Sequence, residues 1–338
     1  MRVLGFLVAL ILIVGVARAD VAPSPLEQAQ ALTENAIREF DANAAAIDQR
    51  TGLGAELKTR LQTHHSQLGA YTDPETALRL AQLDAQLVDQ LAKQSYVNLG
   101  AVHGAAAAVL PSIGSKKRAY PIALYVPSSA APAKADPPLI IYLHGKGESE
   151  ADVIASPIVR AWADLSGAVV LAPYASTSDM LSDGTIADLI SVASAGADAM
   201  PVDRRHIYVA GNSLGGFAAF KLLAAQPDHW AGVLVIEGAV AQDDSDSVAA
   251  HVHGKPIYLV AGANDASISA AYLRQLGAWL GTHGALVTYY EQPNGTHSLA
   301  SVAPMAGKAW HDMLAGVVPA SATVETVPSG QTPQPNRP

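Results

Sequence analysis

Between residues 120 and 314 the chain alternates short apolar runs with stretches of helical spacing, and this alternation narrows the available folds more than any other feature. The apolar runs are 139–143, 168–171, 207–210, 233–236, 257–260 and 287–290, with 120–126 reading as an edge strand before them. Among them lie 151–165, 186–200, 217–225, 270–282 and 299–314, each suited to a helix. Short runs with almost no polar residues are buried on both faces, as in a mostly parallel sheet covered by helices on each side. Ligands of such sheets bind beyond the carboxyl ends of the strands, so the residues that follow each run are where chemistry is expected.

One of those ends reads Gly211-Asn212-Ser213-Leu214-Gly215-Gly216. A serine hydroxyl is a weak nucleophile at neutral pH and needs a sharp turn that presents it to a base. Gly211 and Gly215 permit such a turn, because a residue without Cβ tolerates unusual angles and lets strand and helix approach closely. An ordinary tight strand-to-helix turn would use the same glycines, so the pattern alone is weak.

Three other ends strengthen it. Run 139–143 leads into His144-Gly145-Lys146-Gly147, whose backbone N–H groups can face a developing oxyanion. Run 257–260 leads to Gly262 and Asp265, and run 287–290 leads through a loop to Gly295-Thr296-His297. Taken singly, these are also a glycine turn, a turn-forming aspartate and a surface histidine. Taken together their order is oxyanion turn, serine, acid, histidine, the order expected of an α/β-hydrolase.

On these stretches, and on the run from Asp203 to Gly216, residues 120–314 resemble the α/β-hydrolase superfamily. Within it they are similar to bacterial esterases related to polyhydroxybutyrate depolymerases, feruloyl esterases and phospholipase/carboxylesterase-type hydrolases. The resemblance implies an α/β fold with a mostly parallel sheet, and hydrolysis of a carboxylic ester by a triad of Ser213, Asp265 and His297. It places the oxyanion on the backbone N–H groups of Leu214 and Lys146, with His144, Gly145, Gly211 and Gly215 supporting the elbow and the turn. The substrate would be a small molecule or acyl ester, and no metal or organic cofactor is required.

Two departures stand out. The chain has no cysteine, whereas secreted polymer depolymerases and fungal feruloyl esterases of this group commonly carry disulfides, and it has Thr296 where relatives often place a glycine. Asp243, Asp244 and Asp246 compete for the role of acid, since some relatives place it after the strand at 233–236. A serine peptidase or amidase with the same triad is the nearest alternative, and a non-catalytic binding protein a more distant one.

Other residues admit functional and plain readings side by side. Glu237 ends run 233–236, where it can face a pocket and meet a cationic substrate group or simply accept backbone hydrogen bonds. Residues 174–183 form a loop with the potential to set specificity. His64-His65 and His251-x-His253 lack the i, i+4 spacing and the accompanying ligands of a metal site, and are read as exposed.

Before residue 100 the pattern is helical. Ser24-Pro25-Leu26-Glu27 is a capping-box signature, and Leu26, Ala29, Thr33, Ala36, Phe40, Ala44 and Ile47 recur at three- and four-residue spacing. Leu53, Leu57, Leu61 and Leu68 mark a second helix, and Asp73-Pro74 opens a third with Leu80, Leu83, Leu87 and Leu91 on its face. A lid, a dimerisation element and a packed extension are all open to this segment, whose connection at 100–115 reads as an Ala- and Gly-rich linker. The organisation expected is a signal peptide at 1–19, a helical segment at 20–110, a catalytic domain at 111–317 and a disordered Pro-rich tail at 318–338.

The signal reading rests on Arg2, the apolar stretch 3–16 and Ala17-Arg18-Ala19, and predicts export with a mature chain that starts at Asp20. A 14-residue apolar stretch is short for a bilayer span, so stable membrane insertion is not expected. Without Arg2 and Arg18 the chain carries 19 basic residues against 30 acidic, a net charge of −11 that disfavours nucleic acid as a partner. Oligomeric state has no signature in the sequence.

Overall fold

The computed structural model describes residues 22–130 and 136–317, so the signal read at 1–19 and the tail read at 318–338 lie outside the described residues. The apolar runs form β3 (Leu139–Leu143), β4 (Val169–Pro173), β5 (Ile207–Asn212), β6 (Gly232–Ile236), β7 (Pro256–Gly262) and β8 (Leu286–Gln292). Every residue of β3, β4, β5 and β6 is buried, as strands covered on both faces require. With β1 (Gly104–Ile113) and β2 (Arg118–Val126) they make one sheet in the order β1-β2-β4-β3-β5-β6-β7-β8. Pairing is parallel from β4 through β8 and antiparallel for β1 with β2 and β2 with β4.

The crossover direction assigns the helices to faces. From β3 the chain moves to β4 and then back past β3 to β5, and right-handed crossovers put the two connections on opposite sides. So α4 (Glu150–Ala155) and α5 (Pro157–Ser166) lie on one face. On the other lie α6 (Asp183–Ala199), α7 (Leu214–Ala225), α8 (Ser245–His251) and α9 (Ala270–Thr282). The last helix, α10 (Leu299–Leu314), returns to α5, where Trp310 and Trp162 pack in a tilted pair with ring centroids 5.7 Å apart.

Three readings of the sequence are corrected. The stretch 100–115 is no linker, because it contains β1, which also straddles the boundary expected at residue 110. Alanine is a weak strand former, so the run 105–108 carries little local signal, and its pairing with β2 decides the conformation. Residues 120–126 are therefore not at the edge; β1 is, and the edge carries a bulge at Pro111–Ile113 with Ser112 at φ 104. Residues 151–165 form two helices, because Pro157 disfavours helical angles at Ser156 and opens α5 as its first residue.

The N-terminal segment forms α1 (Pro25–Thr51), α2 (Gly54–Gln67) and α3 (Pro74–Lys93). The capping box at Ser24 and the Asp73-Pro74 start are formed as the sequence predicts. Helix α3 packs on α1, on β1 and on α4. Phe40, Ile47, Leu61, Leu80, Leu87 and Leu91 belong to the same buried core as the strands, so the segment is packed as a cover on the sheet. Among the described residues no helix is long and apolar enough to cross a membrane.

Candidate active site

The strand register brings the sequence-predicted residues to one edge of the sheet. Leu143 pairs with Gly211, Asn212 with Ile236, Ile236 with Val260, and Gly262 with Gln292, so the carboxyl ends of β3, β5, β6, β7 and β8 are nearly level. The segments that leave those ends carry His144 to Gly147, Ser213, Glu237, Asp265 and His297.

Ser213 sits at φ 50 and ψ −116, in a region that a residue with a side chain enters at a cost. Its N–H donates to the Ile236 carbonyl at 2.9 Å, which holds the turn down. The glycines around it are required by space. A Cβ on Gly215 would lie 2.1 Å from the Leu143 carbonyl oxygen, and one on Gly211 would lie 2.3 Å from that of Gly215. Both obstacles are backbone and cannot rotate away.

His297 bridges the serine and the acid. Its Nε2 is 2.9 Å from Ser213 Oγ and its Nδ1 is 2.7 Å from Asp265 Oδ2. The other Asp265 oxygen accepts from the N–H groups of Ser267 at 2.7 Å and Ile268 at 2.9 Å, so the carboxylate is fixed on both sides. The hydrogen bond that Nδ1–H donates to Asp265 raises the His297 pKa above its ordinary value, against the opposing effect of burial. Of the competing acids, Asp243 and Asp244 lie in a short turn before α8, where Asp244 pairs with Lys221 at 2.9 Å, and Asp246 lies in the first turn of α8. The carboxylate that meets His297 is that of Asp265.

Leu214 is the first residue of α7, so its N–H has no acceptor within the helix. Among the described residues no backbone acceptor pairs with it or with the Lys146 N–H. Gly145, Lys146 and Ser213 line a cleft of about 410 Å³. The turn behind Lys146 is pinned by His144, which is buried with its ring nitrogens 2.8 Å from the Gly145 carbonyl and 2.9 Å from that of Ala175. It is also pinned by Glu148, which the sequence reading missed. The Glu148 carboxylate accepts from the Gly145 N–H at 2.8 Å and from Asn212 Nδ2 at 3.2 Å, tying the turn to the elbow.

Glu237 faces the cleft but is only 2 % exposed, at φ 51, with no hydrogen-bond partner for Oε1 among the described residues. Burial, reinforced by the nearby Asp265 charge, pushes its pKa up to about 7, while His297 and the Ser298 N–H act in the opposite sense. Tyr142, whose buried hydroxyl also has no partner among the described residues, lines the same cleft. Single atoms of Glu237, Asp265 and His297 lie within 4.8 Å of one another, the donor types a divalent ion takes. Two of the three are already joined to each other at 2.7 Å, and the other Asp265 oxygen is taken by two backbone donors.

None of residues 174–183 lines the cleft; its walls come from Val153 of α4, Ser156 between α4 and α5, Ile158 and Val159 of α5, and Leu299 and Ala300 at the start of α10. His251 and His253 are exposed as expected. His64 is not: it is buried against two carboxylates, while its neighbour His65 is only half-buried. Nothing in the local sequence announces this, since Asp84 and Asp152 are 20 and 88 residues away.

No protein-family model and no curated protein matches the chain. Solved structures do. FphF, a fluorophosphonate-binding serine hydrolase of Staphylococcus aureus, is similar over 62% of this chain and 99% of its own, with a TM-score of 0.52 and 14% identity. The S-formylglutathione hydrolase FrmB of the same organism is similar over 64% of this chain and 99% of its own, with a TM-score of 0.52 and 14% identity. A hyperthermophilic esterase from Pyrobaculum calidifontis is similar over 65% of this chain and 88% of its own, with a TM-score of 0.51 and 16% identity. These likenesses, with the sheet order and the strand-end turns above, show that the chain has the α/β-hydrolase fold.

Proposed function

We propose that this protein is an exported serine hydrolase that cleaves carboxylic esters through an acyl-enzyme. The observation that carries the reading is the line Ser213 Oγ, His297, Asp265, with separations of 2.9 and 2.7 Å, opening on a cleft at the strand ends. In this scheme His297 takes the Ser213 proton as the oxygen attacks the ester carbonyl, and Asp265 orients the ring and stabilises its charged form. The N–H groups of Leu214 and Lys146 hold the oxyanion. The protonated His297 then gives its proton to the departing alcohol, and water repeats the attack to release the acid. That the similar structures are a serine hydrolase, an S-formylglutathione hydrolase and an esterase supports the reaction class.

The test is intact-mass analysis after treatment with a fluorophosphonate, on the wild type and Ser213→Ala, with p-nitrophenyl esters from acetate to decanoate and peptide p-nitroanilides assayed on the same samples. One adduct on the wild type, none on the variant, and turnover of esters ahead of anilides is expected. Folded protein that takes no adduct and turns over no ester would refute it; faster anilide turnover would make it an amidase. Export rests on the stretch 1–19 and is tested by N-terminal sequencing of the protein from the exported fraction, where Asp20 is expected first.

A further inference from the structure

A cluster of charged side chains is buried between the N-terminal helices and the catalytic fold. Arg60 of α2 reaches Asp84 of α3 at 2.8 Å with one guanidinium nitrogen and Glu150 of α4 with another. His64, one turn along α2, places Nδ1 2.7 Å from Asp84 and Nε2 3.3 Å from both Ser149 Oγ and Asp152 Oδ2. The Tyr71 hydroxyl donates to the other Asp152 oxygen at 2.7 Å. The Asp84 side chain is wholly enclosed, and that of Arg60 is 9 % exposed.

Removing charges from water costs more than their pairing returns unless every partner is well placed, and apolar side chains of like volume would hold the helices together as well or better. Such a cluster is thus a poor fastener but a good locator, because directional bonds fix one arrangement where apolar contacts accept several. What it locates is the start of α4. Ser149 and Asp152 form the capping box there, and the preceding residue, Glu148, holds the Gly145 N–H and the Asn212 amide. The polar chain therefore runs from Asp84 through Arg60 and His64 to residues 148–152, and from them to the turn that carries the Lys146 N–H.

We propose that the N-terminal helices position the oxyanion turn of the catalytic fold, with Arg60 and His64 as positioning residues that act through residues 148–152. The proposal rests on the esterase reading above. It gives the segment a part in the reaction, although no residue of it lines the cleft. Misplacing a group by a fraction of an ångström at the reacting centre is felt in turnover before it is felt in ground-state binding.

The experiment measures kcat and KM for p-nitrophenyl butyrate, with thermal unfolding, on the full chain and on Arg60→Met, Arg60→Lys and Tyr71→Phe. Arg60→Met is expected to lower kcat about tenfold with KM within about twofold, a loss on the scale of a small geometric error. Arg60→Lys keeps the charge but only part of the forked contact to Asp84 and Glu150, and should recover part of it. Tyr71→Phe removes one hydroxyl from a partly buried ring and should lower kcat by about threefold, so it carries the test if Arg60→Met does not fold. Unchanged kcat in folded variants, a change in KM alone, or a loss that lysine does not recover would each overturn the proposal while leaving an active wild type as evidence for the esterase. A wild type that takes no fluorophosphonate and turns over no ester would overturn both.

Discussion

The strand-end site and the buried charge cluster are both polar arrangements inside an apolar fold, but they are built in opposite ways. At the strand ends each group is delivered by its own apolar run, and level register aligns them. In the cluster, Arg60, His64, Asp84, Glu150 and Asp152 come from the sides of three helices that meet only in the tertiary structure. A site made by topology leaves a spaced signature in the chain, whereas one made by helix packing leaves residues that look like any solvated helix face.

The sharpest break between the two regions is expected from Asp265→Asn. The asparagine keeps the shape but cannot hold His297 in the tautomer that offers Nε2 to Ser213, and a fall in kcat of about 10⁴-fold follows. Stability should change little by comparison, so denaturant titration beside the kinetics separates the effects. A fall below about tenfold would transfer the acid's role to another carboxylate, and Glu237 is the nearest at hand.

Asp84→Ala should show the reverse pattern, with stability as the larger effect. It leaves the Arg60 guanidinium and His64 buried without their shared partner, a situation that costs about 3–5 kcal/mol. Urea unfolding reads this directly. The cluster also predicts a pH dependence. Burial opposes the charge on His64, but Asp84, with Asp152, outweighs it and raises the pKa from 6.5 to about 9. Its contribution is complete below pH 6.5 and is lost as pH rises through 9, so the Tm gap between wild type and His64→Gln should narrow over that window.

Much of this division was visible beforehand, and the failures are instructive. The six parallel strands, the elbow at Ser213 and the positions of Asp265 and His297 followed from apolar runs and the residues after them. Strand β1 was hidden because Ala105 to Ala108 have no strand preference of their own and gain one only by pairing with β2. Glu148 was hidden because its role depends on Asn212, brought beside it by β3 and β5 pairing in parallel. His64 was read as exposed for a similar reason: i, i+4 logic looks along one helix, and its partners stand on two others.

Glu237 belongs to the strand-end region by position and to the cluster by chemistry, since it is a buried carboxylate without a matched cation. In the unfolded chain it titrates near 4.5, and in the folded chain burial and Asp265 move it to about 7. Folding is therefore disfavoured by its ionisation increasingly between pH 4.5 and 7, and fully above 7. Glu237→Gln should raise Tm above pH 7 and match the wild type below pH 4.5. A Tm that falls at high pH would mean the ionised form has a partner in the cleft.

The smallest effect is expected two residues before Arg60, on the outer side of α2. Lys58 pairs with Asp41 of α1 at 2.8 Å, a separation equal to that of Arg60 and Asp84, yet both side chains are nearly half exposed. Water solvates the charges whether or not they meet, so Lys58→Ala should cost less than about 1 kcal/mol and leave kcat unchanged. Two ion pairs of equal length on one helix then differ chiefly in burial and in what lies beyond them. If Lys58→Ala proved as damaging as Asp84→Ala, the helix α2 itself, and not the buried charges it carries, would be what the catalytic fold depends on.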